Sequence, residues 1–307
     1  MAMEIITDIY KYEPVPCAAT VGSFDGLHVG HCAMLGELKR AAGERGLPLM
    51  VVTFARHPRL LFDGDCEPFL LATNSEKTAL LAAAGVDICV MLDFDSCMAS
   101  MSAWRFMSEV LYARLGVELL AVGYDHRFGT PAPCEGLREY VSYGSRLGSE
   151  VLPTAPFYLN GVECSSSVVR RALSAGDIEA ANAVLGYRYS FAGQVVHGAA
   201  IGRGLGFPTA NVMPDEPLKL LPADGVYEVA VSFMDKAYKG VMNIGVKPTV
   251  GENLMRTVEV HLLGFSDNIY GRELRVELVR RIRGEMEFDN LDALRAQIEA
   301  DVASVCK

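Results

Sequence analysis

The chain has 307 residues, half of them hydrophobic and 21% charged, which allows two domains with apolar cores and excludes a disordered chain. The formal net charge of −10 argues against non-specific nucleic-acid binding, because an acidic surface repels the phosphate backbone. No apolar run reaches the roughly 20 residues that span a bilayer, and Met1–Pro14 lacks the basic start and apolar stretch of a signal peptide. We therefore expect a cytoplasmic protein without nucleic-acid or membrane partners.

The first half of the chain alternates short apolar runs with helical patterns. The apolar runs are typical of buried parallel strands and lie at Ala18–Gly22, Leu49–Phe54, Ile88–Leu92, Glu118–Val122 and Glu150–Pro153. Helical periodicity predicts helices at Met34–Ala42, Ser75–Ala84 with Ser75 as the N-cap, Ala103–Leu115 and Gly136–Leu147. This alternation predicts an α/β fold with an open, doubly wound parallel sheet, which binds ligands at the carboxyl ends of its strands.

A change of pattern near Gly186 predicts a second domain. Two short helices, Ser167–Ser174 and Asp177–Leu185, are expected to close the first domain, which we place at residues 1–186. From Tyr189 onward apolar residues alternate with polar ones, which predicts a small antiparallel β-barrel. A C-terminal helix follows, with one apolar face formed by Leu291, Leu294, Ile298 and Val302. We place this second domain at residues 187–307.

The first predicted strand runs into a turn rich in glycine and histidine, Gly22–His31. His28 and His31 flank Gly30 where the first helix begins, and a helix N-terminus offers free N–H groups and partial positive charge to a phosphate. Imidazole donors add hydrogen bonds that strengthen as charge develops in a transition state. The alternative of two surface histidines beside a turn fits an H-x-G-H pair at a strand–helix junction less well.

A second set of possible phosphate donors stands at the start of a later helix. Ser165, Ser166 and Arg170 combine hydroxyls, a helix N-terminus and a guanidinium, whereas an N-cap alone needs one hydroxyl. Two further segments end the second and fourth predicted strands, where a second substrate is expected. Their Phe54 and Phe128 either stack on an aromatic ligand or pack in the core, and the pattern leaves both readings open.

A glycine-rich segment, Val196–Asn211, begins the second half, and it matches neither a Walker A loop nor a dinucleotide-binding fingerprint. Thr209 and Asn211 are two residues apart, so in an extended segment their oxygens share one face and can hold Mg²⁺. The alternative is a capped turn. Glu259 lies on a strand face opposite Val258 and Val260, where a carboxylate can accept a proton from an attacking hydroxyl. The period alone favours an exposed strand glutamate there.

Taken in order, these motifs resemble the bacterial bifunctional riboflavin kinase/FMN adenylyltransferase family, also called FAD synthetase. The resemblance extends from about Pro16 to the final helix and is most specific where Gly206–Asn211 follows an upstream H-x-G-H. It implies Mg²⁺ as a cofactor and riboflavin, FMN and ATP as small-molecule partners, with FMN as intermediate and FAD as product. The second domain would transfer the γ-phosphoryl group of ATP to riboflavin, and the first would transfer AMP from ATP to FMN.

The resemblance also implies a role for each site residue. His28 and His31 would be catalytic in the first domain, and the ATP-binding residues there would be Gly22, Phe24, Gly30, Ser165, Ser166 and Arg170. The flavin side would be lined by Phe54, His57, Pro58, Asp125 and Phe128. In the second domain Glu259 would activate the ribityl hydroxyl, and Thr209 and Asn211 would bind the metal. ATP would also contact Gly198, Gly202, Gly206 and Pro208.

Several positions depart from the usual pattern of this family. Ala55 and Arg56 replace Glu-Pro, His126 replaces an aromatic residue, and 130–135 lacks a basic residue and a Gly-Asp pair. In the second domain Lys247 replaces arginine and Glu287 replaces a basic residue. The first group lies on the flavin side of the predicted adenylyl-transfer site. It leaves two alternatives open, a riboflavin kinase whose first domain is weakened or inactive and a non-catalytic flavin or nucleotide sensor.

Overall fold

The computed structural model describes residues 2–62, 67–124, 126–128, 135–198, 204, 206–234, 236–248 and 254–306. The chain divides into two compact units, the first formed by Met1–Glu67 and Ala72–Ser165, the second by Pro68–Leu71 and Ser166–Lys307. This division falls before the predicted domain boundary at residue 186. Within the described ranges, every helix is too short or too polar to pass through a lipid bilayer.

The first unit is built on a six-stranded parallel sheet. Its strands are β1 (Glu4–Ile6), β2 (Cys17–Val21), β3 (Leu49–Phe54), β4 (Ile88–Leu92), β5 (Val117–Gly123) and β6 (Glu150–Thr154). They are arranged in the order β1-β4-β3-β2-β5-β6, and every neighbouring pair is parallel. The predicted open parallel sheet is confirmed. The sequence pattern missed β1, because only one of its three residues is buried.

Helices cover both faces of this sheet. They are α1 (Val29–Gly43), α2 (Arg59–Phe62), α3 (Asn74–Ala83), α4 (Ser96–Ala99), α5 (Ala103–Arg105) with a π-helix at Phe106–Tyr112, and α6 (Leu137–Leu147). A short hairpin, β7 (Tyr158–Leu159) with β8 (Val162–Glu163), follows β6. Along β3, Val51 packs in one core cluster with Leu35 and Leu38 of α1, whereas Met50 packs in the other with Phe106. Successive strand residues therefore serve opposite layers, as in a doubly wound fold.

Two local predictions in this unit are wrong. The N-cap of α3 is Thr73 rather than Ser75, because Thr73 Oγ1 accepts from the Glu76 amide at 3.2 Å while Glu76 Oε2 accepts from the Thr73 amide at 2.8 Å. This reciprocal pair satisfies two free N–H groups at once. The α-helix predicted over Ala103–Leu115 stops at Arg105 and continues as a π-helix. There the Ala113 amide donates to the Ser108 carbonyl, five residues back.

The second unit is a closed antiparallel barrel, and three helices with described bounds belong to it. The helices are α7 (Ser166–Ala175), α8 (Ile178–Leu185) and α9 (Leu291–Cys306). The strands are β9 (Ser190–Val196), β10 (Ala210–Pro214), β11 (Gly225–Phe233), β12 (Lys236–Pro248), β13 (Leu254–Leu262) and β14 (Glu273–Arg283). They close in the order β10-β13-β12-β11-β14-β9. The predicted barrel and C-terminal helix are confirmed, and Tyr227, Val229 and Val231 are buried at alternate positions as the period of two requires.

Helix α9 packs on the outside of the barrel. Its Val302 and Val305 form an apolar cluster with Val226 of β11 and Val241 of β12. Arg280 donates to the Ser304 carbonyl at 3.1 Å and Lys239 to the Val305 carbonyl at 2.9 Å. Cations at a helix C-terminus satisfy carbonyls that lack intrahelical donors and interact favourably with the helix dipole. These contacts fix the end of α9 to β12 and β14.

A buried ion pair completes this attachment. Arg283 of β14 contacts Asp301 of α9 with Nε 3.0 Å and Nη2 2.9 Å from Oδ2, and Asp301 is only 3% exposed. Gln297 donates a further hydrogen bond to Asp301 Oδ1 at 2.8 Å. Removal of one partner from a buried ion pair leaves an uncompensated charge, which costs more than the pair itself contributes.

The predicted apolar face of α9 is confirmed only in part, because Leu291 is 63% exposed.

We predict that Asp301→Ala will loosen α9, because Arg283 then stays buried without its carboxylate. Amide hydrogen exchange over 291–306 should accelerate by an amount equivalent to about 3–5 kcal/mol of opening free energy. Glu299→Ala is the matched control, since Glu299 forms only an exposed pair with Arg295, worth less than about 1 kcal/mol. Equal exchange in the two variants would contradict the prediction.

Candidate functional site

In the first unit, the strand order reverses at β2. Strands β3 and β4 lie on one side of it, and β5 and β6 lie on the other. Ligands of open α/β sheets bind outside the carboxyl ends of the strands at such a reversal. The turn that leaves β2 leads directly into the H-x-G-H motif at the start of α1. The topology therefore places the predicted histidine site where this fold class binds its ligands.

This turn has an unusual backbone held in place by its surroundings. Phe24, Gly26 and Leu27 have φ values of 47°, 82° and 32°. Positive φ is costly for residues with a Cβ and persists where packing and hydrogen bonds impose it. Phe24 and Leu27 are both buried, and Asp25 Oδ1 accepts from the Ala72 amide at 2.9 Å. The strain concentrates immediately before the two histidines, as is common at ligand sites.

His28 and His31 form one structural pair. His28 is the N-cap of α1, its Nδ1 accepts from the His31 amide at 3.4 Å, and the two rings stack with centroids 3.7 Å apart. A Cβ on Gly30 would lie 3.0 Å from the Cys164 carbonyl oxygen and 3.1 Å from His28 Nδ1, so glycine is needed for this approach. Because Nδ1 of His28 is an acceptor, its Nε2 carries the proton and is the ring donor.

The imidazole of His31 is partly buried. Burial lowers the pKa of His31 well below its ordinary value, and the neighbouring His28 lowers this pKa further. Within the described part of the chain, its Nδ1 is buried without a hydrogen-bond partner. A buried polar atom that lacks a partner is rare in folded proteins and suits a ligand contact. His31 is therefore a neutral imidazole with hydrogen-bonding capacity to offer at the start of α1.

The other predicted ATP residues of the first domain fall on both sides of the division into units. Ser165 follows Cys164, whose carbonyl lies against Gly30, so the first unit brings Ser165 close to the histidine motif. Ser166 and Arg170 belong to α7 of the second unit. There Arg170 Nε donates to the Phe69 carbonyl at 2.9 Å. Their part in ATP binding stays a prediction.

The residues predicted to contact the flavin differ in burial and in their contacts. Phe54 is half-buried with its ring edge-on to Phe94 at 5.2 Å, and His57 Nδ1 accepts from the Arg59 amide at 3.2 Å. Phe128 is 3% exposed and contacts the rings of Phe106 and Tyr140. Its ring therefore packs in the core, which is the second of the two readings that the sequence left open. Asp125 lies outside the described residues. The flavin contacts of this group, including Pro58, stay predictions.

Lys77 is a buried group that the sequence analysis missed. Its Nζ donates to the Phe54 carbonyl at 2.8 Å, at the carboxyl end of β3. Burial lowers the pKa of Lys77, and the negative charge of Asp25 opposes that shift. Lys77 thus holds the start of the predicted flavin-side turn. Its helical spacing from the buried Leu81 was the available signal, because a lysine four residues before a core leucine shares its face.

In the second unit, strand register assembles a polar row. Asn211 of β10 pairs with Glu259 of β13, and Glu259 pairs with Asn243 of β12. Directly paired residues project to the same face of a sheet with neighbouring Cβ atoms about 5 Å apart. Val258 and Val260 point into the barrel, so this row lies on its outer wall. The structure therefore brings Asn211 and Glu259 together and adds Asn243, which the sequence analysis did not single out as a site residue.

Two cavities meet beside this row. The first has a volume of about 310 Å³ and is lined by residues that include Pro208, Thr209, Phe265 and Tyr270. The second has a volume of about 300 Å³ and is lined by residues that include Thr209, Asn243, Glu259, His261 and Ile298. Thr209 lines both. A ligand in one cavity can therefore approach a ligand in the other at Thr209, with Glu259 on the side of the second cavity.

The oxygens of Thr209 and Asn211 suit a hard cation. A hydroxyl and an amide are neutral oxygen ligands, so a Mg²⁺ ion held there would need the negative charge of bound phosphates. Within the described ranges, no group of three or more histidine, cysteine, aspartate or glutamate side chains could hold a metal. A Cβ on Gly198 would overlap the side-chain amide of Asn211, so this glycine leaves room for Asn211. Gly206 has a φ of 89°, and Gly202 lies outside the described residues.

Comparisons with known proteins match both halves of the chain. A family model described as riboflavin kinase matches residues 185–307, and one described as FAD synthetase matches residues 11–168. The chain is 39% identical over 305 residues to the bifunctional riboflavin kinase/FMN adenylyltransferase of Escherichia coli strain K12, covering 97% of this chain and 96% of that protein. For the Bacillus subtilis strain 168 protein of the same name, the identity is 33%, covering 95% and 92%.

One solved structure shares the architecture along its whole length. It is a crystal structure from Streptococcus pneumoniae named as a macrolide-efflux protein, with a TM-score of 0.89, 28% identity and coverage of 100% of this chain and 99% of that one. The two family models together cover most of the chain, and the bacterial relatives match it from end to end. The chain therefore belongs to the bifunctional riboflavin kinase/FMN adenylyltransferase family.

Proposed function

We propose that this chain makes FAD from riboflavin in two ATP-dependent steps, which use separate sites. As a bifunctional transferase it phosphorylates riboflavin to FMN and then transfers AMP from ATP to FMN, releasing pyrophosphate. The match of FAD synthetase to residues 11–168 favours this function over a kinase with an inactive first domain or a sensor. The observation that carries the kinase step is Thr209, which lines two cavities of which one holds Glu259.

In the kinase step, we assign the first cavity to ATP and the second to riboflavin. Pro208, with Gly198, Gly202 and Gly206 of the preceding loop, would surround the nucleotide. Glu259 accepts the proton of the ribityl hydroxyl as it attacks the γ-phosphorus. Asn243 stands beside Glu259 and can orient that hydroxyl. Thr209 and Asn211 would hold Mg²⁺, whose charge offsets that of the transferring phosphoryl group.

In the adenylyl-transfer step, the FMN phosphate attacks the α-phosphorus of ATP, and the protein positions both and offsets charge. His28 and His31 supply neutral ring donors, and the turn with Gly22, Phe24 and Gly30 lets the phosphates approach α1. Ser165, Ser166 and Arg170 are proposed as further phosphate ligands. Phe54, His57, Pro58, Asp125 and Phe128 are proposed for the flavin side. The Nδ1 of His31 is buried and has no hydrogen-bond partner among the described residues, which supports a ligand at this position.

The assignment of the two steps to domains at residues 1–186 and 187–307 is also a proposal. It is supported by the riboflavin kinase match, which begins at residue 185. We place the protein in the cytoplasm, because both steps consume ATP.

The experiment that tests the function is a product assay by chromatography with Mg²⁺ and ATP. Riboflavin should yield FMN and then FAD, and supplied FMN should yield FAD directly. Absence of either product would refute the corresponding step.

We predict that His28→Ala will lower FAD formation from supplied FMN by on the order of 100-fold, because it removes one charge-stabilising donor. Riboflavin phosphorylation by the same variant should match the wild type, which shows that the barrel is intact. Asn211→Ala is the reciprocal control and should lose FMN formation while it still adenylylates supplied FMN. Loss of both products in either variant would show that the two sites are not separate.

We predict that Gly198→Ala will impair the kinase step alone. The added methyl group would displace the Asn211 amide, so the variant should need a higher Mg²⁺ concentration for half-maximal FMN formation. Gly204→Ala is the matched control, because a Cβ there meets no atom of the described residues within 4 Å. A Mg²⁺ titration of initial FMN formation measures the difference. An unchanged Mg²⁺ requirement in Gly198→Ala would contradict the assignment of Asn211 as a metal ligand.

The lowered pKa of His31 also predicts a pH dependence of stability. The unfolded state takes up a proton near pH 6.5 whereas folded His31 stays neutral, so stability falls as pH drops below 6.5, by at most about 1.4 kcal/mol per pH unit. His31→Gln lacks this slope, so the variant should gain stability relative to the wild type at acid pH. The single tryptophan, Trp104, lies in the first unit and reports its urea unfolding by fluorescence. A difference in stability between His31→Gln and the wild type that does not change with pH would contradict the prediction.

A further inference from the structure

His261 follows Glu259 by two residues on β13 and lies on the same face of that strand. It lines the second cavity together with Glu259 and Asn243. The proposed chemistry at Glu259, Thr209 and Asn211 gives His261 no part. Its ring contacts the segment that leads to Thr209 at two points, and these contacts determine what it can do.

The first contact is a hydrogen bond between His261 Nδ1 and the Pro208 carbonyl oxygen, with a distance of 2.8 Å. A carbonyl oxygen only accepts, so Nδ1 must carry the hydrogen and donate it. The second contact is between rings, with Phe207 edge-on to His261 at a centroid distance of 5.6 Å and an interplanar angle of 82°. His261 therefore holds both residues that precede Thr209, one through its backbone and one through its side chain.

These two residues face different cavities. Pro208 lines the first cavity, Phe207 lines the second, and Thr209 lines both. Residue 208 is a proline, so it has no amide hydrogen with which to pair to a neighbouring strand, and ladder pairing of β10 with β13 begins at Ala210. The bond from His261 is thus an attachment of 207–209 to β13 outside the ladder. It fixes the point where the two cavities meet.

We infer that His261 is a positioning residue for riboflavin phosphorylation, which holds Thr209 at the junction of the nucleotide and flavin cavities through the Nδ1–H bond to Pro208. This inference rests on the proposed kinase function. If the bond is broken, the Thr209 hydroxyl shifts relative to Glu259, and displacements of about 1 Å in such sites lower rates by up to about 100-fold. The adenylyl-transfer step, which uses residues of the first domain, should be unaffected.

Two variants separate the hydrogen bond from simple packing. His261→Asn keeps an amide nitrogen one bond beyond Cγ, where Nδ1 stands, and can still donate to Pro208. His261→Phe keeps an aromatic ring against Phe207 but has no donor. We expect the Phe variant to lower kcat for FMN formation by about 10- to 100-fold and to raise the Mg²⁺ requirement. The Asn variant should have a kcat and a Mg²⁺ requirement close to those of the wild type. Each variant should adenylylate supplied FMN at the wild-type rate.

A second readout does not depend on turnover. Amide hydrogen exchange over 207–211 should accelerate in His261→Phe and remain near wild type in His261→Asn, because only the former loses the attachment. Equal FMN formation in wild type and His261→Phe would overturn the inference, as would equal losses in the Phe and Asn variants. If the wild type itself forms no FMN, the kinase function fails, and the exchange experiment still decides whether His261 holds this segment.

Discussion

The pairing of Asn211 with Glu259 across β10 and β13 is the constraint on which the proposed chemistry of the second unit depends. In an antiparallel ladder a shift of one residue moves every side chain to the other face. Val258, Val260 and Leu262 fill the barrel interior and forbid such a shift, because it would expose them and bury Glu259. The apolar core thereby holds the carboxylate outside, level with Asn211 on one side and Asn243 on the other.

The outer wall of the barrel forms a cavity only because α9 covers it. That helix has a modest apolar face, and its attachment depends as much on cations from the barrel as on burial of valines. Arg283 pairs with Asp301, while Arg280 and Lys239 satisfy carbonyls at the helix end. Leu294, Ile298 and Val302 are then left to line the cavity that holds Glu259. The same helix therefore covers the barrel and supplies an apolar wall to this cavity.

The first unit solves a different problem, since its proposed function requires hydrogen-bond donors for phosphates. Its solution is a strained turn at the strand-order reversal, in which positive φ values at Phe24 and Leu27 are imposed by burial of their side chains. The turn places His28 at the N-cap of α1 and holds His31, which is partly buried, as a neutral imidazole. Lys77 and Asp25, both buried, connect this turn and the end of β3 to the segment around α3. Conformational cost is concentrated in the turn that carries the predicted phosphate donors.

Much of this could be predicted from the sequence, because periodicity and motifs are local properties. The five apolar runs, the period of two after residue 189, and the motifs at His28, His31, Thr209 and Asn211 determine the fold class and family. Finer predictions were wrong where neighbouring residues offered an alternative. Thr73 rather than Ser75 is the N-cap because Glu76 completes a capping box, and a π-helix replaces the expected α-helix after Arg105.

Only the tertiary structure decided which distant residues meet. Strand register brought Asn243 to Glu259, ring packing placed Phe128 in the core, and a single side-chain to backbone bond joined His261 to Pro208. These contacts join residues far apart in the chain, and no local pattern encodes the register or packing that creates them. The sequence by itself thus predicted the kinds of site, whereas the neighbours of each predicted site residue were set by three-dimensional packing.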